Sequence, residues 1–145
     1  MNIKIRKPLV VFDLETTGIQ IATDRIVEIY CIKIQPDGSE EHLHQVINPT
    51  IPIPPEVSQI HGIWDKDVVG KPTFSDFAAT LNQFLGDCDF GGFNSNRFDF
   101  PLLAEEFYRV GVNFNTTRKF IDAQRIFHKM EPRNLTAAYK KYCNK

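Results

Sequence analysis

An α/β fold, a mixed sheet with helices packed against it, is what this sequence predicts. Three β-type runs joined by short turns fill the first 47 residues, and from Thr73 onward helical spacing alternates with short strand-like runs. At 145 residues, 42% apolar and 24% charged, the chain has the profile of one soluble globular domain, 1–145, with a single core. The order β-β-β-α-β-α-β-α-α puts functional residues at strand ends near the sheet centre.

Lys7 to Glu15 is β-branched and apolar before it alternates, and Thr16-Thr17-Gly18 follows as a turn signal. Arg25 to Ile34 alternates through Ile26, Glu28, Tyr30, Ile32 and Ile34, and Pro36-Asp37-Gly38 turns the chain into a third run, Glu41 to Ile47. Three strands with such short connections form an antiparallel meander. Pro49, Pro52, Pro54 and Pro55 remove donors and fix φ, so a loop is expected as far as Ile63.

Thr73 to Leu85 has a cap at Thr73 or Ser75 and apolar residues at Phe74, Phe77, Ala78, Leu81, Phe84 and Leu85, which is helical spacing. Asp89 to Asn94 reads as a strand between two helices. A helix from about Asp99 to Val110 takes Pro101 in its first turn and stops at Gly111. Arg118 to Ile121 is a fifth strand; Asp122 caps a helix to about Met130 and Asn134 caps another through Tyr142. Phe12, Phe74, Phe77, Phe84, Phe107 and Trp64 read as packing residues.

Composition excludes several classes. Cys31, Cys88 and Cys143 have no CxxC spacing, so neither a disulfide framework nor a zinc knuckle is expected. No apolar run approaches the ~20 residues that span a bilayer, and Asp13 and Glu15 stand where a signal peptide needs small residues. A cytoplasmic protein with no membrane contact is expected. Residues 1–117 carry nine Lys+Arg against sixteen Asp+Glu, whereas residues 118–145 carry eight against two. That basic end suits either a nucleic-acid contact or a solvated helical face.

Asp13 and Glu15 lie two apart on a strand, so their side chains share a face with Cα atoms roughly 6.6 Å apart. Paired acids at a strand end are either exposed or capping residues, or hard oxygen ligands that a cation such as Mg²⁺ or Mn²⁺ compensates.

The surrounding strings decide between these. Asp13-Leu14-Glu15-Thr16-Thr17-Gly18 is followed by Ile60-His61-Gly62-Ile63 and then by Asn94-Ser95-Asn96-Arg97-Phe98-Asp99 running into Pro101-Leu102-Leu103. In that order they resemble the motifs of the DnaQ-like 3′–5′ exonucleases of the DEDD class, a family that includes the proofreading subunit of bacterial DNA polymerase III. The resemblance runs from about Leu9 to Tyr142 and implies a ribonuclease H-like fold. It also implies that Asp13, Glu15 and Asp99 are catalytic residues and three of four acidic ligands to two Mg²⁺ or Mn²⁺ ions. Asp13 would bridge the ions, Glu15 would serve the one carrying the nucleophile, and Asp99 the one at the leaving oxygen.

By the same resemblance Leu14, Thr16 and Thr17 meet the terminal 3′-OH and sugar, and Ile60, His61 and Phe98 pack at the terminal base. Apolar stacking of that kind tolerates any base. Taken from its residues alone, His61 reads as a loop histidine capping a carbonyl, and Asn94 as a turn residue or a site residue. The implied partner is a single-stranded 3′ end, with DNA favoured over RNA. No polymerase-binding tail is recognisable, and the oligomeric state is not encoded in any motif.

One departure matters. The DEDDh branch carries a third motif, His-x4-Asp, supplying a general base and the fourth ligand, and this sequence contains no such spacing. The expectation is a chain short at its C-terminal end, just before that motif, and weak or inactive, since loss of a general base costs about 10²–10⁴-fold. The alternative is a catalytically incomplete nuclease fold acting as a nucleic-acid-binding module. The basic end suits that reading, but acids without metal repel phosphate.

Overall fold

The computed structural model describes residues 5–92 and 96–122. Strands β1 (Leu9–Thr16), β2 (Ile26–Ile34) and β3 (Glu40–Val46) are followed by helices α1 (Pro55–His61), α2 (Asp65–Val68) and α3 (Phe74–Leu85), then β4 (Asp89–Gly92), α4 (Asn96–Arg109) and β5 (Phe120–Asp122). They form one five-stranded sheet in the order β3-β2-β1-β4-β5. The antiparallel meander forms as expected, while β4 lies parallel to β1 and β5 parallel to β4.

The period of two on β1 sets the two faces. Val10, Phe12 and Leu14 join Ile29, Cys31, Phe77, Leu81, Phe90, Leu102, Leu103 and Phe107 in the main core. Leu9, Val11, Asp13 and Glu15 therefore point to the opposite face. Phe74 is buried with that core and Phe84 packs at its margin. Trp64 departs from the packing role expected of it, at 38% exposed. Cys31 and Cys88 are buried free thiols, and burial pushes both thiols up from their ordinary value.

The β1–β2 register steps from Glu15↔Glu28 to Thr16↔Ile26, leaving Val27 as an extra residue. Such a bulge bends the strand and re-aims its side chains. Val27 leaves the main core for a second cluster with Ile53 and Val68, and that cluster seats the α1–α2 segment beside the end of β1.

Two sequence expectations need correction. The proline-rich stretch is not wholly a loop, because Pro55 occupies the first turn of α1, where a missing N–H costs nothing. Gly62 ends that helix at φ 79°. Helix α4 begins at Asn96, three residues before the expected start, so Pro101 lies inside it rather than marking its first turn. Helix α3 matches its reading: Thr73 Oγ1 accepts from the Asp76 N–H (3.2 Å) and Asp76 Oδ2 from the Thr73 N–H (3.1 Å). The helices expected after Asp122, along with Cys143 and Asn94, lie outside the described residues.

Candidate active site

The acids meet where two strands part. Strand β4 pairs with β1 only from Leu9 to Val11, yet β1 continues to Thr16. Among the described residues no strand pairs with its β4-side edge from Phe12 onward, and a strand end of this kind is where ligands bind in sheets whose strand order reverses. Helix α4 delivers Asp99 to that strand end, and the Asp99 carboxylate accepts a hydrogen bond from the Leu14 main-chain N–H.

Asp99 is only 6% exposed. Burial first, then the charge of Asp13 and that of Glu15, push its carboxyl up to about 7, and the Leu14 N–H opposes the rise. The three acids expected from the sequence are thus brought into electrostatic contact. Among the described residues, no three His, Cys, Asp or Glu side chains already close on one point as a metal cage. The chemistry of the set fits a hard dication all the same: its donors are oxygens, and the Asp99 proton is one that a cation would displace.

Other expected site residues are placed as follows. Thr16 Oγ1 donates to the Gly18 carbonyl (2.7 Å), and the side chain of Leu14 is buried in the core. Thr17 is 1% exposed. Its hydroxyl donates to Asp24 Oδ1 (2.8 Å) and accepts from the Arg25 N–H (3.0 Å), and its own N–H donates to the Arg25 carbonyl (2.9 Å). With those partners Thr17 shapes the loop after β1. Phe98 is half-buried against the main core.

Ile60 is 83% exposed beside the strand end. His61 Nδ1 accepts from the Ile63 N–H (3.1 Å), so the ring carries its proton on Nε2, which donates to the Thr16 carbonyl (3.1 Å). This is the carbonyl-capping geometry read from the residue alone, and it pins α1, with Ile60, to the end of β1.

Sequence reasoning missed four residues here. Asp24 accepts from Thr17 and from the Gln20 N–H (2.7 Å), and it presses on Gly18 so closely that a Cβ there would lie 2.5 Å from Oδ2. Glu28 stands opposite Glu15 in the register and binds His44 Nε2 at 2.8 Å, while Tyr30 stacks on the His44 ring at 4.4 Å. Glu106, 2% exposed, could have been noticed as an acid on the apolar stripe of a helix, seven residues after Asp99. Arg109 left no such signal.

The sequence matches the family model described as Exonuclease (RNase_T) over residues 10–145. It is 35% identical over 95 residues to DNA polymerase III subunit epsilon of Treponema pallidum (strain Nichols), covering 66% of this chain and 44% of that protein. With the 3′-5′ exonuclease DinG of Staphylococcus epidermidis it shares 29% over 108 residues, covering 74% of this chain and 12% of that one. The chain thus spans less than half the length of these relatives.

The structure resembles that titled ExoI/SSB-Ct complex with a TM-score of 0.71 at 20% identity, covering 85% of this chain and 30% of that one. E. coli exonuclease I in complex with a dT13 oligonucleotide gives 0.70 at 20%, covering 84% and 29%. At this identity the likeness bears on the fold alone. The chain belongs to the exonuclease (RNase_T) family, is related to 3′–5′ exonucleases, and has their ribonuclease H-like fold.

Proposed function

We propose that residues 1–145 form one nuclease domain that hydrolyses the terminal phosphodiester at the 3′ end of single-stranded nucleic acid, DNA in preference to RNA. The observation that carries this reading is the placement of buried Asp99, on α4, against the end of β1 where Asp13 and Glu15 share a face. Three acids gathered at a strand end are costly unless a cation offsets them.

Asp13, Glu15 and Asp99 would hold Mg²⁺ or Mn²⁺. When bound, such ions activate water and stabilise charge on the attacking and leaving oxygens. The protein's own part is positional. Asp99 is held beside the Leu14 N–H by α4, whose Leu102, Leu103 and Phe107 pack in the core with Phe12 and Leu14 of β1. The main chain of Leu14 and Thr16 lines the end of β1, where a terminal 3′-OH and sugar would sit. Exposed Ile60, with Phe98 at the core margin, offers apolar surface for a base without choosing among bases. Thr17 acts through the loop it shapes.

The sequence has no His-x4-Asp, so within these residues no general base is assigned and weak or absent turnover is expected. A second reading, a nuclease fold that binds nucleic acid without cleaving it, differs from the first in needing no metal. The test is digestion of a 5′-labelled single-stranded oligonucleotide with Mn²⁺, Mg²⁺ or chelator. Slow, metal-dependent shortening from the 3′ end that disappears in Asp13→Ala is expected. Robust digestion that persists in Asp13→Ala would contradict the proposal.

A further inference from the structure

The polar stripe of α4 continues beyond Asp99. Glu106 lies seven residues on, two helical turns and about 10.5 Å along the axis, and so faces the same way. Its Oε2 accepts from the buried Ile26 N–H (3.0 Å), and its Oε1 from Arg109 Nη1 (2.9 Å). Arg109 Nη1 also donates to the Asp24 carbonyl (2.9 Å), and Nη2 donates to the Ile21 carbonyl (2.7 Å). Ile26 is the residue opposite Thr16 after the bulge.

From there the contacts run back to the acids. The Asp24 carboxylate binds Thr17 and the Gln20 N–H, with Gly18 packed against it. Thr17 in turn exchanges hydrogen bonds with Arg25 and is two residues from Glu15. One face of α4 therefore holds the end of β1 through Asp99, the start of β2 through Glu106, and the loop between them through Arg109.

Resting on the function proposed above, we propose that Glu106 and Arg109 are positioning residues for the metal-binding acids, locking the Ile21–Ile26 loop, and through it Glu15, to the helix that carries Asp99. The chemistry needs these residue types. A carboxylate accepts from a main-chain N–H and a guanidinium at once, and a planar fork reaches two carbonyls and a carboxylate together, which an ammonium cannot. Surface ion pairs contribute little, but this one ends on main-chain groups rather than in solvent.

The test is Mn²⁺ affinity by calorimetry on the full chain, with each variant's melting curve used to choose a temperature at which it is folded. Glu106→Gln keeps an acceptor for Ile26 but turns a donor toward Arg109; Arg109→Lys keeps the charge but loses the fork. Both are expected to weaken Mn²⁺ binding by about tenfold, the effect typical of groups that orient metal ligands. Arg109→Met should weaken it more than Arg109→Lys, a graded response that a purely structural role would not give.

Wild-type affinity in the folded variants would overturn the proposal. Should Glu106→Gln fail to fold, the partly exposed Arg109→Lys decides the question alone. Asp13→Ala is the control for the underlying reading. If it binds Mn²⁺ as tightly as wild type does, the metal site itself is wrong, whereas if only the Arg109 and Glu106 variants match wild type, the clamp is wrong.

Discussion

The carboxylate of Asp99 accepts a hydrogen bond from the main-chain N–H of Leu14, and that bond ties helix α4 to the strand bearing the other two acids. Leu14 lies between Asp13 and Glu15, its side chain in the core and its residue beyond the β1–β4 pairs seen among the described residues. Burial and two neighbouring carboxylates then keep the Asp99 proton in place near neutrality.

A pH dependence follows. In the folded chain the Asp99 carboxyl titrates at about 7, against 3.8 ordinarily, so the native state binds the extra proton between those values. Its stabilising contribution is complete below about pH 4 and is lost as pH rises through 7. The loss amounts to about 4 kcal/mol at most. Melting in chelator from pH 4.5 to 8 should show stability falling, and Asp99→Asn should flatten the trend. Added Mn²⁺ should reverse it, since a cation favours the ionised form.

Gly18→Ala should cost about 1–3 kcal/mol, because the new Cβ would lie 2.5 Å from Asp24 Oδ2. Asp24 must then move and loosen its bonds to Thr17 and Gln20. Urea denaturation measures the loss. In an Asp24→Ala background the same substitution should cost much less, and equal costs in both backgrounds would contradict the crowding argument.

Ile60→Ala separates binding from folding. The side chain is 83% exposed, so stability should stay within about 0.5 kcal/mol of wild type. Affinity for a single-stranded oligonucleotide in Mn²⁺ should fall by about 1–2 kcal/mol, the apolar burial lost with the side chain, if Ile60 packs on the terminal base. Fluorescence anisotropy beside a melting curve reads both.

His61→Ala removes two hydrogen bonds, one accepted from Ile63 and one donated to Thr16. A stability loss of about 1–3 kcal/mol is expected. The link between α1 and the end of β1 goes with it, so hydrogen exchange should quicken in α1 while α3 is unchanged. Equal protection of both helices would show that His61 does not hold the segment.

Much of this was legible in the sequence because it rests on local period. Asp13 and Glu15 share a face by the strand repeat of two, and α3 announces itself through Thr73 and its apolar spacing. Asp99 stands out through its motif, although Pro101, read as a first-turn residue, sets the expected helix start at about Asp99 where α4 begins at Asn96. The short helix α1 was hidden by prolines, since Pro55 is as compatible with a first helical turn as with a loop. Glu106 and Arg109 bind main-chain groups 80 or more residues away, and such bonds leave no local pattern.

The most direct measurement is the binding of a single-stranded oligonucleotide with a free 3′-OH in Mn²⁺ and again in chelator, with Asp13→Ala alongside. The acid cluster as a divalent-ion site for a 3′ end predicts binding in Mn²⁺ that is lost both in chelator and in the variant. Equal binding in all three conditions would contradict it, leaving a nuclease fold that holds nucleic acid without using its acids.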